Sequence, residues 1–60
     1  MRFVYTNDPS THDFCESIGM PFIGEHLSER TVFWCFVLTD EFLNANQESL
    51  HYCISDSLIF

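Results

Sequence analysis

The apolar positions of this chain are concentrated in one unbroken run, Val32 to Leu38, which reads Val-Phe-Trp-Cys-Phe-Val-Leu. A strand with one solvated face alternates apolar and polar residues, so an unbroken run predicts an element covered on both faces. The β-branched and aromatic content of the run favours a strand over a helix. Successive side chains of a strand alternate between its faces. One face would carry Phe33, Cys35 and Val37, and the other Val32, Trp34, Phe36 and Leu38.

The pattern before this run predicts a short strand followed by a helix. Arg2 to Thr6 is β-branched and aromatic, which is typical of a strand. Asp8 is a good helix N-cap, Pro9 suits the first helical position, and Gly19 suits the position after the helix. A helix from Pro9 to Ile18 follows. Its apolar stripe would consist of Thr11, Phe14, Cys15 and Ile18. We expect this helix to cover one face of the apolar run.

Residues 20–30 give a weaker pattern, because Pro21 and Gly24 interrupt it. Both residues favour a loop or an irregular edge strand over a regular inner strand. We expect the large apolar residues of this segment to point inward, namely Phe22, Ile23 and Leu27.

Two interpretations compete for the segment after the apolar run, and both begin with Thr39 as a helix cap. In the first, the helix ends near Gln47 and residues 50–55 form a strand. Its larger apolar residues Leu50, Tyr52 and Ile54 would alternate with His51, Cys53 and Ser55. In the second, one helix continues to Asp56. We favour the first interpretation.

The predicted fold class is therefore small α+β. A three-stranded, mostly antiparallel sheet (about 2–6, 31–38 and 50–55) would carry one or two short helices in a single domain spanning residues 1–60. The alternative is an all-α three-helix bundle. If the second helix does not cover the Trp34 and Phe36 face of the run, another molecule must do so, and we expect a homo-oligomer.

Charge narrows the class of partner. Nine acidic residues against two arginines and no lysine give a net charge of -7. Such a chain repels phosphate backbones and anionic membranes, so we expect no direct nucleic-acid binding and no membrane binding. The apolar run is also too short to span a bilayer. A basic protein surface is the natural partner.

Cysteine usage indicates the compartment. Three cysteines are an odd number, and the N-terminus becomes polar at Thr6, so neither a disulfide framework nor a secretory signal is indicated. We expect a cytoplasmic protein with reduced thiols. Small acidic chains of this composition suit accessory proteins of mobile elements, such as phages.

Two His/Cys pairs are the candidate metal ligands. His12 and Cys15 would lie near one face of the helix, and His51 and Cys53 on one face of a strand. Two imidazoles and two thiolates suit tetrahedral zinc. The spacing is not that of common zinc modules, so ordinary packing is favoured and we expect no cofactor.

The sequence shows no catalytic motif, and we expect a non-enzymatic protein-interaction module that acts as a regulator or inhibitor. The candidate interface residues are the apolar Trp34, Phe36, Leu58 and Phe60 with the acidic Asp13 and Glu16. Two alternatives remain open: a zinc-stabilised adaptor that uses the His/Cys pairs, and an acidic mimic that occupies a partner's nucleic-acid-binding site.

Overall fold

A computed structural model describes residues 1–45 and 48–57, and it places four strands and two helices among them. In chain order they are β1 (Phe3–Thr6), α1 (Pro9–Ser17), β2 (Phe22–Ser28), β3 (Thr31–Val37), α2 (Asp40–Leu43) and β4 (Cys53–Ser55). The strands form one antiparallel sheet in the order β2-β3-β1-β4. The predicted α+β class is confirmed, and the all-α alternative is wrong.

Helix α1 begins and ends as its sequence predicts. The Asp8 carboxylate accepts a hydrogen bond from the Thr11 N–H at 3.2 Å, and Pro9 occupies the first turn. At the other end Gly19 has a φ of 75°, and the N–H groups of Gly19 and Met20 donate to the carbonyls of Glu16 and Cys15. This pair of bonds is a Schellman motif, which glycine adopts without steric cost.

The segment after β3 is more irregular than predicted. The Thr39 hydroxyl caps α2, but the helix ends at Leu43, so a helix reaching Gln47 is too long; Gln47 itself lies outside the described residues. Strand β4 has three residues instead of the predicted six. The predicted alternation is nevertheless present, since Leu50 and Tyr52 pack on the core. A continuous helix to Asp56 is wrong.

Strand β2 lies at the edge of the sheet and is the strand missing from the predicted three. A β-bulge between Phe22 and Gly24 shifts its register against β3, so the expected irregularity is present. The expected inward orientation of its apolar side chains is wrong. Leu27 is 68% exposed and Phe22 is 52% exposed.

The core lies between the two helices and one face of the sheet. Val4 pairs with Phe36 across β1 and β3, and both are buried. The buried apolar cluster comprises Val4, Cys15, Met20, Phe36 and Phe42, drawn from both helices, two strands and the α1–β2 connection. Both helices therefore cover the Trp34 and Phe36 face. Neither described helix lies on the Phe33 face, although Tyr5 and Cys35 on that face are buried.

Neither helix of the described segments has the length and apolar content needed to cross a membrane.

Candidate functional site

The structure keeps the two His/Cys pairs apart. Cys15 is buried in the core, whereas Cys53 pairs with Tyr5 in the sheet register, and Tyr5 points to the opposite face from the core residue Val4. The sheet therefore separates the two thiols. Among the described residues, which include all four candidates, no group of three or more His, Cys, Asp or Glu side chains is placed to hold a metal ion.

The two buried thiols have low reactivity. Burial raises the pKa of Cys15 to about 11, and burial also raises the pKa of Cys35. The nucleophile in thiol chemistry is the thiolate, so both groups are poorly suited to nucleophilic attack at neutral pH. Cys53 is exposed.

The predicted interface residues fall into four groups. Phe36 is 1% exposed and lies in the core, so it has no free surface for a partner. Trp34 is half-buried under the His12 ring, with the ring centroids 4.6 Å apart. Asp13 and Glu16 are exposed on α1. Leu58 and Phe60 lie outside the described residues.

Of the seven large apolar side chains that are exposed among the described residues, four lie on the β2–β3 hairpin. Leu27 pairs with Val32 across the two strands, and they are 68% and 41% exposed. Phe22 and Ile23, at the bulge, are also exposed. We call this set, Phe22, Ile23, Leu27 and Val32, the hairpin patch. Isolated exposed apolar residues are ordinary, but several along one edge strand are typical of an interaction surface.

A tight turn holds the two halves of the patch together. Glu29 and Arg30 connect Ser28 to Thr31 with φ values of 49° and 70°, both in the left-handed region. Two consecutive positive φ values define the type I′ turn, whose twist matches that of the flanking strands. The usual Asn-Gly signal of such a turn is absent here. That absence is why the hairpin was not recognised from the sequence; the short spacing between Leu27 and Val32 was the available signal.

His12 connects the acidic face of α1 to the patch. Its ring contacts Phe22 edge-on, with the centroids 6.3 Å apart. Its Nδ1 lies 3.2 Å from Asp13 Oδ1, and its Nε2 lies 3.9 Å from Glu16 Oε2. Both carboxylates therefore lie near the Phe22 end of the patch. Glu25 lies within β2, opposite Trp34.

A partly buried hydrogen-bond network holds α1, and thus His12, on the sheet. The Asp8 carboxylate accepts from the Thr11 hydroxyl at 2.7 Å, and that hydroxyl oxygen accepts from the His51 N–H at 3.0 Å. The Thr6 hydroxyl donates to the His51 carbonyl at 2.6 Å. The network joins β1, α1 and the segment before β4. The hydrogen bond from the Thr11 hydroxyl is the main cause that lowers the pKa of Asp8.

The opposite face of the sheet carries a groove of about 440 Å³. It is lined by Tyr5, His26, Ser28, Phe33, Cys53, Ile54 and Ser55. The Tyr5 hydroxyl donates to the Ser57 carbonyl at 3.4 Å beside it. The groove shares the hairpin with the patch but lies on the other side of the sheet.

Comparison with known proteins gives no family assignment: no family model, curated protein or solved structure matches the chain.

Proposed function

We propose that this protein is a non-enzymatic interaction module that binds a basic protein surface through the hairpin patch and the carboxylates around it. The observation that carries the proposal is the Leu27–Val32 pair, two adjacent apolar side chains that are 68% and 41% exposed beside Glu25. An apolar centre with a charged rim is the ordinary composition of a protein interface.

The energetics of exposure favour this interpretation. Burying a leucine or valine side chain contributes about 1.5–3 kcal/mol relative to leaving it in water. The chain forgoes part of this contribution at Leu27 and Val32, although it buries Val4 and Phe36 completely or nearly so. A partner that covers the pair recovers the transfer free energy that the fold leaves unused.

The charges favour a basic partner. Asp13 and Glu16 lie near one end of the patch, Glu25 lies along it, and Glu29 lies in its turn, with Arg30 the neighbouring cation. The net charge of -7 adds long-range attraction toward a cationic surface. Such attraction speeds association and favours partners with a positively charged surface. Occupying a partner's basic surface in this way is the action of a regulator or inhibitor.

Two matched leucine variants test the proposal. Leu27 and Leu43 are both exposed, at 68% and 45%, but Leu43 lies on α2 and outside the patch. The amount of basic partner protein that the immobilised chain captures should fall sharply with Leu27→Ser and stay unchanged with Leu43→Ser. Capture should also weaken as salt rises to about 1 M, where exposed charges are screened within ~3 Å. Equal capture by both variants, unaffected by salt, would contradict the proposal.

The predicted self-association stays a prediction. Sedimentation velocity of the wild-type chain over a range of concentrations is the direct measurement. If the chain sediments as a monomer at every concentration, a second copy is not its partner.

A further inference from the structure

The outer side of β2 is an open sheet edge. Among residues 1–45 and 48–57, β2 pairs with β3 on one side and has no other strand neighbour in the order β2-β3-β1-β4. The residues flanking a two-residue I′ turn form a hydrogen-bonded pair, here Ser28 and Thr31. Hydrogen-bonding direction alternates along a strand, so Ser28 and His26 bond toward β3. Leu27 and Glu25 therefore direct their N–H and C=O groups outward, to the open edge.

The side chains along this edge define a recognition pattern. Glu25 and Leu27 lie two residues apart, so their side chains share the face of the sheet that carries α1. A strand laid against this edge would place one side chain beside Glu25 and another, two residues away, beside Leu27. The complementary side chains are a lysine or arginine for Glu25 and an aliphatic residue for Leu27.

We propose that β2 accepts an extended, basic segment of a protein partner as an additional strand of the sheet. This inference rests on the proposed function and specifies how the partner binds. Main-chain hydrogen bonds to Glu25 and Leu27 supply affinity that is independent of the partner's sequence, and the side chains beside them supply specificity.

Charge selects a basic segment over a second copy of the chain. Two β2 strands paired edge to edge would bring the Glu25 side chains of two copies into the same small area, with Asp13 and Glu16 near the end of each strand. Each copy also carries a net charge of -7. Like charges across a strand pair are destabilising, whereas a lysine or arginine there is attracted.

The experiment uses the full chain and a defined peptide. A short peptide of the repeat Lys-Thr-Val-Thr places lysine and valine alternately on one face of an extended strand. A second peptide of the same sequence is N-methylated at alternate residues, on the edge that would bond to β2, so it keeps its charge but loses those donors. The readouts are the dissociation constant of each peptide and the exchange rate of each backbone amide of the protein.

Strand addition predicts that saturation with the first peptide slows exchange of the Leu27 and Glu25 amides, while exchange on α1 is unchanged. It also predicts that N-methylation weakens binding by about tenfold or more, since each lost hydrogen bond costs on the order of a few-fold to tenfold in affinity.

Three results would overturn it. If both peptides bind equally and the β2 amides exchange as fast as they do without peptide, strand addition is wrong. The proposed function is then decided separately by the comparison of Leu27→Ser with Leu43→Ser. If the first peptide fails to bind, strand addition is also wrong, and the capture comparison alone decides the proposed function. If the β2 amides become protected as the protein is concentrated without peptide, the occupant of the edge is a second copy.

Discussion

Leu27 and Val32 face each other across the β2–β3 hairpin, and neither is buried by the rest of the chain. Leu27, the more exposed of the two, therefore contributes little to folding, and the pair leaves apolar surface in water. A surface that is separable from the core can be altered without unfolding the protein.

Leu27→Ser should change the free energy of unfolding by less than about 0.5 kcal/mol, as exposed substitutions away from special features usually do. Phe36→Ala is the contrasting variant, since Phe36 is 1% exposed. It should cost about 3–5 kcal/mol, which is most of the stability of a chain this short. Urea unfolding of both variants measures the difference. A large loss with Leu27→Ser would mean that the patch belongs to the core.

A substitution in the turn between β2 and β3 should stabilise the protein. Arg30 has a φ of 70°, and a non-glycine residue in that region costs about 1–2 kcal/mol. Arg30→Gly should therefore raise the free energy of unfolding by up to about 1 kcal/mol, after the greater backbone freedom of glycine in the unfolded chain is counted. Ser28→Gly is the matched control within the strand and should lower it. If Arg30→Gly is no more stable than wild type, Arg30 carries no backbone strain in this turn.

Asp8 should make the fold sensitive to acid. The Thr11 hydroxyl holds the pKa of Asp8 below its ordinary value of 3.8, so the folded state favours the ionised form. The resulting stability is fully present above the ordinary pKa and is lost as the pH falls through the lower, folded-state pKa. Asp8→Asn keeps a capping group but does not titrate. The melting temperature of the wild type should therefore exceed that of Asp8→Asn at neutral pH, and the two should converge in strong acid. An equal difference at every pH would contradict this role.

The three thiols should react in a fixed order. Cys53 is exposed, whereas Cys15 and Cys35 are buried and their pKa values are raised by that burial. A disulfide reagent at neutral pH should label Cys53 rapidly and the other two at the rate of unfolding. Mass spectrometry after a short pulse identifies the labelled site, and Cys53→Ser should abolish the fast phase. Fast labelling of native Cys15 would contradict the core described above.

Local signals in the sequence predict part of this fold. Asp8, Pro9 and Gly19 predict α1, because each residue satisfies a requirement of a helix end. The β-branched content of residues 31–38 predicts β3. Thr39 predicts the start of α2 but not its length, since Asn44 already occupies the C-cap.

The remaining features depend on packing that the pattern does not encode. An unbroken apolar run does not distinguish its two faces, so the sequence could not show that both helices lie over Phe36. The sequence does not predict β2 as a regular strand, because its bulge at Gly24 breaks the alternation of apolar and polar residues. The turn that follows it also uses Glu29 and Arg30 in place of glycine. The hairpin patch was missed with it, although Asp13 and Glu16 were predicted at an interface and lie near its Phe22 end.

The most direct test of the central claim is the fraction of a basic protein partner captured by Leu27→Ser relative to Leu43→Ser, with both proteins shown to be folded. The patch interpretation predicts that capture falls by about tenfold or more with Leu27→Ser, the loss expected when a well-packed interface side chain is removed. It predicts that Leu43→Ser captures as much as the wild type. Equal capture by the two variants would show that the hairpin patch is not the binding surface.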